Sequence, residues 1–205
     1  MRSFALALAF LLQAVPASAQ EPQQPSPPTL SAIAYTPITG MQRFDWWATG
    51  TVSLESWGVG TFQAAWYTAV NSPEEWGQSW NGFGKRFVQR EVDVTMSNAI
   101  EAGFGAMWGE DPRYIPSGRH GIMARARYAL KTAFVAQRPD GRLAPAWGRY
   151  AGNTLNNLIE NTWLPPSQTT AGETVLRCSL GFLSRMGGNL FDEFWPDAKR
   201  HVFKR

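Results

Sequence analysis

Along residues 76–107 the apolar positions fall into two helical stripes. Trp76, Trp80, Phe83 and Phe87 share one face, and Val88, Val92, Met96, Ile100, Gly103 and Met107 lie about opposite. A helix with two such stripes needs partners on both sides, so it is expected to run through the middle of a bundle or to break near Gly82 and Gly84. The same periodicity predicts helices over about 52–70, 73–109, 119–137, 147–163 and 171–194, with a short helical turn after Pro196. Ser72-Pro73-Glu74-Glu75 and Thr170-Ala171-Gly172-Glu173 both have the spacing in which a hydroxyl caps a helix start and a glutamate sits three residues on. Turn-like sequence separates the segments at 110–118, at Arg138-Pro139-Asp140-Gly141 and at Leu164-Pro165-Pro166. The expected fold is all-α, a single compact bundle of about five helices. A β-barrel is the structural rival because Thr51 to Thr61 alternates in part, but the caps and the long stripes favour helices.

Small residues recur four apart: Ala65 and Ala69, Gly105 and Gly109, Ala129 and Ala133, Gly148 and Gly152, Ser184 and Gly188. Glycine inside a helix costs about 1 kcal/mol relative to alanine, so its repeated use implies close approach of neighbouring helices or a membrane setting. The chain also carries 10 tryptophans. A large aromatic core is the leading expectation for them; a membrane interface and a glycan platform are the other two uses.

The first 19 residues read as an export signal, with Arg2 ahead of an apolar run from Phe4 to Ala14 and Ala17-Ser18-Ala19 as a small-x-small cleavage site. Residues 20–40 hold Pro22, Pro25, Pro27, Pro28 and Pro37 and suit an extended tether, leaving 41–205 as the helical domain. Loss of Arg2 with the signal takes the formal charge from +3 to +2, with Lys and Arg dispersed among acids, so no nucleic-acid partner is expected. A single cysteine, Cys178, allows no disulfide within the chain.

Candidate chemistry is sparse. His120 and His201 are the two histidines, and no His or Cys pair has the spacing of a metal site, so neither a metal nor a cofactor is expected. No phosphate loop and no G-x-S-x-G elbow occurs. What remains is a polar set around residues 110–125: Glu101, Glu110, Asp111, Arg113, Tyr114, Arg119, His120 and Arg125. Asp111, Pro112 and Tyr114 read as a structural corner, with Asp111 and Arg113 paired to neighbouring helices, Tyr114 packed inward and Ser117 capping the next helix. Arg125 lies about 60° from the centre of the face formed by Ile122, Ala126, Ala129, Ala133 and Ala136, and must find an anion, such as Asp111, Glu160 or Asp192. The sharper reading makes Arg113, Arg119 and Arg125 the holders of an anionic ligand and His120 a base.

The motif series Ser72-Pro73-Glu74-Glu75-Trp76-Gly77-Gln78, Gly84-Lys85-Arg86, Glu110-Asp111-Pro112-Arg113-Tyr114, Arg138 to Gly141 and Glu193-Phe194-Trp195-Pro196-Asp197 resembles a family of uncharacterised exported bacterial proteins, over about Ser53 to Arg200. The resemblance implies one helical domain and no particular substrate. Ile115 stands where such proteins often carry Phe after D-P-R-Y.

Together these features lead to the expectation of an exported cell-envelope protein, periplasmic or outer-membrane associated. Its role would be structural or interactive, with a membrane surface or envelope proteins as partners. The alternative is a periplasmic hydrolase or small anionic-ligand binder using the 110–125 corner.

Overall fold

The computed structural model describes residues 35–202. The export signal and the tether up to residue 34 lie outside the described residues. The fold is an all-α bundle. Six α-helices, α1 (Gly40–Val52), α2 (Leu54–Ala69), α3 (Trp80–Trp108), α4 (Ile122–Lys131), α5 (Trp147–Glu160) and α6 (Ala171–Val202), are joined by short turns and one small hairpin.

Helix α1 was not expected. Its start is written in Thr39, whose hydroxyl accepts from the Gln42 amide at 3.2 Å while the Gln42 side chain accepts from the Thr39 amide at 3.0 Å. Ser53 then ends α1 and caps α2, accepting from the Ser56 amide at 3.1 Å.

The expected helix over 73–109 breaks earlier than Gly82 and Gly84. Residues Glu74–Trp76 form a single 3-10 turn, Gly77 takes the left-handed φ of 65°, and α3 starts afresh with Ser79 capping Gly82. Arg86 fixes this break by donating to three backbone carbonyls, Ser72 O and Gly77 O at 2.7 Å and Pro73 O at 2.8 Å.

The expected helix over 119–137 is shorter, because the Thr132 hydroxyl turns back onto the Tyr128 and Ala129 carbonyls and the chain leaves the helix there. Strand β1 (Val135–Gln137) then pairs antiparallel with β2 (Leu143–Pro145), with Ala136 opposite Ala144. The turn expected at 138–141 is the loop of this hairpin, with Gly141 at φ 77°. Asp111 extends the pairing through its amide to the Gln137 carbonyl, 3.0 Å. Helix α6 is capped by Thr170 as expected and runs unbroken through Pro196. The ring removes one N–H from the ladder and disturbs the adjacent turn, and the guanidinium of Arg125 takes the Glu193 carbonyl there.

Helices α3 and α5 are antiparallel and touch through glycine. A Cβ on Gly148 would lie 2.8 Å from the Gly105 amide nitrogen, and one on Gly152 would lie 2.8 Å from the Ser97 carbonyl. Close packing through small residues therefore holds at Gly105, Gly148 and Gly152, and at the buried Ala129 and Ala133. It does not hold at Ala65 and Ala69, which are exposed; α2 meets α3 through Ser56, Gly60 and Ala64 instead.

The interior is polar. Every buried hydrophobic residue among those described is an alanine: Ala64, Ala129, Ala133, Ala136 and Ala146. Buried beside them are Arg86, Glu101, Glu110, Asp111, Arg149, Asn156, Asn157, Glu160, Asn189 and Glu193. The large apolar side chains face outward on every helix, including Phe62, Trp80, Met107, Leu158 and Leu183. Neither apolar stripe of α3 is fully buried: its buried positions are Gly82, Arg86, Glu101 and Gly105, Phe83, Phe87, Met96 and Ile100 are half-buried, and Trp80, Val88, Val92 and Met107 are exposed. The tryptophans do not form a core either. Trp57, Trp66, Trp80, Trp108, Trp147, Trp163 and Trp195 are exposed, and Trp46, Trp47 and Trp76 are half-buried. No helix among the described residues is long and apolar enough to cross a membrane.

Candidate functional site

The 110–125 corner is tied to the bundle residue by residue. Glu110 turns its carboxylate onto the start of α5, where Oε1 accepts from the Trp147 amide at 3.0 Å and Oε2 from the Gly148 amide at 2.7 Å. Ala146 offers no side-chain cap at that position, so an acid distant in sequence serves the helix dipole and its orphan N–H groups. Arg138 of the hairpin loop reaches the same carboxylate at 3.3 Å.

Asp111 is 1% exposed and accepts from the Arg113 guanidinium at 2.7 Å and from the Tyr35 hydroxyl at 3.0 Å. Arg113 was expected to pair with a neighbouring helix; its partner is instead the aspartate two residues before it, and its other contact is the Thr36 carbonyl at 3.2 Å. Both contacts pin the last tether residues to the corner. Burial, with the Asp111 charge and hydrogen bond, pushes the Tyr35 hydroxyl up to about 12. Pro112 is buried, and its carbonyl faces Arg149.

Tyr114 packs as expected, with its ring edge-on to Tyr128 and its hydroxyl donating to Glu193 Oε2 at 2.5 Å. Ser117 does not cap α4, whose first turn follows Gly121; its hydroxyl donates to Glu193 Oε1 at 2.6 Å and its amide to Oε2 at 3.0 Å. Arg125 completes the set, its Nε 2.8 Å from Glu193 Oε1 and its Nη1 2.5 Å from Asp197. The anion it needed is thus Glu193 with Asp197, not Asp111, Glu160 or Asp192. Burial works to raise the Glu193 carboxyl, but donation from Ser117, Tyr114 and Arg125 outweighs it and holds the group down at about 2.

Arg119 and His120 stand apart from this network. The Arg119 guanidinium lies 5.2 Å from the Tyr128 ring centre, and both Arg119 and His120 are exposed. Among the described residues nothing hydrogen-bonds the His120 ring, so no group orients it as a base would require. Arg113, Arg119 and Arg125 are not brought together: one holds Asp111, one lies over an aromatic ring and one holds Glu193. The described residues contain no group of three or more His, Cys, Asp or Glu able to hold a metal ion.

Two further polar clusters sit between the helices. Glu101 of α3 accepts from Arg149 of α5 at 3.0 Å and from Arg185 of α6 at 2.5 Å, which places an Arg–Glu–Arg triad at the centre of the bundle. Toward the other end of the α3–α5 contact, Asn156 donates to Asp93 and Gln89 donates to Glu160 at 2.8 Å, which brings the two acids together as a pair. Neither Arg149 nor this pair was singled out from sequence. The signal was available in α5, where Gly148, Arg149, Gly152, Asn156, Asn157 and Glu160 are buried and Leu155, Leu158 and Ile159 are exposed beside them.

Residues of the motif series contact one another in the fold. Arg86 holds the Trp76-Gly77 turn, Arg138 reaches Glu110, and Tyr114 and Arg125 hold Glu193 and Asp197. Comparison with protein-family models, with curated proteins and with solved structures gave no match.

Proposed function

We propose that this is an exported cell-envelope protein whose apolar exterior contacts membrane lipid, acting as a structural or interaction component. The observation that carries the reading is the inversion of polarity described above. Burying a Leu, Phe or Val side chain stabilises a fold in water by about 1.5–3 kcal/mol, and a monomer in water rarely leaves so many contiguous apolar side chains outside. Buried charges are costly unless paired and hydrogen-bonded, and here the interior acids are so provided, by Arg113 on Asp111, Arg149 and Arg185 on Glu101, and Arg125 on Glu193. A chain with that pattern gains from an apolar medium outside it. Exposed tryptophans near helix ends, such as Trp66, Trp108, Trp147 and Trp163, suit the boundary between such a medium and water. The export signal and the resemblance to exported bacterial proteins support the envelope as the compartment.

The test is to fractionate cells and then titrate purified protein with liposomes. Recovery with envelope membranes, co-sedimentation with neutral liposomes and a blue shift of tryptophan emission are expected. Release by osmotic shock as a monomer that needs no detergent, with no shift on liposomes, would overturn the proposal. A detergent-free oligomer of defined size would assign the apolar faces to self-association instead.

A further inference from the structure

We propose that Asp93, Glu160 and Asn156 form a proton-binding site at the α3–α5 contact, in which the two carboxyls hold one proton between them at neutral pH and its release loosens that contact. The geometry comes first. Glu160 is 2% exposed and Asn156 has no exposed surface. Asn156 gives its amide hydrogen to Asp93 and Gln89 gives one to Glu160; Gln89 and Asp93 are one turn apart on α3, as Asn156 and Glu160 are on α5, so the two carboxyls lie beside each other across the contact. The Asn156 Oδ1 atom is buried and has no partner. An orphaned acceptor within a cluster of acceptors is the mark of a missing hydrogen, and a bound proton supplies one.

The surrounding charges permit single protonation. Arg90 on α3 and Arg177 on α6 are the cations facing the pair. Arg90 is engaged with Glu91 at 2.9 Å and with the Ser56 hydroxyl that α2 presents. Arg177 is engaged with Asn157 and Asn161 at 3.0 and 2.6 Å. Neither makes an ion pair with the site, so neither fully replaces the proton. Cys178, on the α6 face against Asn153, is the remaining titratable group beside this part of α5. Burial first, then the Asp93 charge, pushes Glu160 up to about 8, and burial also pushes Asp93 up.

On release the shared O–H bond breaks, the proton passes to a solvent base, and the pair goes from one negative charge to two. Like charges in one buried cluster repel, and they sit on the helices that pack through Gly152.

The full mature protein in lipid or detergent tests this by infrared titration of the protonated-carboxyl band. A band present at pH 7 and lost as the pH passes about 8 is expected. It should be absent in Glu160→Gln and lost at lower pH in Asp93→Asn. Amide hydrogen exchange in α5, compared at matched alkaline pH, should be faster in the native protein than in Glu160→Gln. Absence of the band at pH 7 in the native protein overturns the proposal without recourse to any variant. A band unchanged in both variants, or identical α5 exchange, overturns it as well.

Discussion

Glu110 caps a helix that begins 37 residues later: its Oε2 accepts from the Gly148 amide at 2.7 Å and its Oε1 from the Trp147 amide at 3.0 Å. The corner, which the sequence reads first as structural, is in part a brace for α5. Glu110→Ala should lower the melting temperature by an amount corresponding to a loss of about 1–3 kcal/mol, since a buried cap to two amides goes and Arg138 loses its partner. Glu110→Gln, which keeps one acceptor, should cost less. Thermal melts followed by far-UV circular dichroism will order the two, and equal melting temperatures for all three proteins would remove the brace.

Gly148 and Gly152 set the distance between α3 and α5. An alanine at either position places its Cβ 2.8 Å from backbone atoms of α3, so Gly148→Ala and Gly152→Ala should each destabilise by about 1–3 kcal/mol. Gly84 is the control: it lies inside α3, where an added methyl would meet nothing within 4 Å, and Gly84→Ala should stabilise by about 0.5–1 kcal/mol through helix propensity. Chemical denaturation separates the two signs.

Arg113 and His120 make a second contrast. Asp111 is buried and takes its cationic partner from Arg113, so Arg113→Ala should cost about 1–3 kcal/mol, while the exposed His120→Ala should be nearly neutral. If both variants keep native melting temperatures and both lose a binding or turnover activity of the native protein, the corner is a ligand site.

Two glutamates give stability opposite slopes with pH. Glu160 is raised from an ordinary 4.5 to about 8, so the folded state holds this proton more tightly than the unfolded chain; the stability it contributes is full below about 4.5 and is lost as pH rises toward 8. Glu193 is lowered from 4.5 to about 2, so its contribution is present above 4.5 and is lost as pH falls toward 2. Denaturation midpoints measured from about pH 3 to about pH 9 should therefore decline at both ends. Glu160→Gln should flatten the alkaline limb and Glu193→Gln the acid limb; an alkaline limb unchanged by Glu160→Gln would refute the assignment.

The sequence by itself determined that the chain is helical and placed α2, α5 and the start of α6. Thr170, Pro139 to Gly141 and the 3.6-residue stripes are local signals, and local hydrogen bonds and backbone preferences settle them. Helix α1 was equally available in Thr39 and Gln42, but the first predicted helix was placed only at about 52. The direction in which each helix faces was not local. Periodicity reports that Leu155, Leu158 and Ile159 share a side and that Asn156 and Glu160 share another; it does not say which side is inside. The expectation that the apolar sides face inward was overturned. Only the tertiary structure decided this, because buried charge is tolerable only with a partner, and those partners come from distant segments: Glu193 for Tyr114 and Arg125, and Glu101 for Arg149 and Arg185. Once these pairs close, the interior is polar, and the apolar side chains have only the outer surface left to occupy.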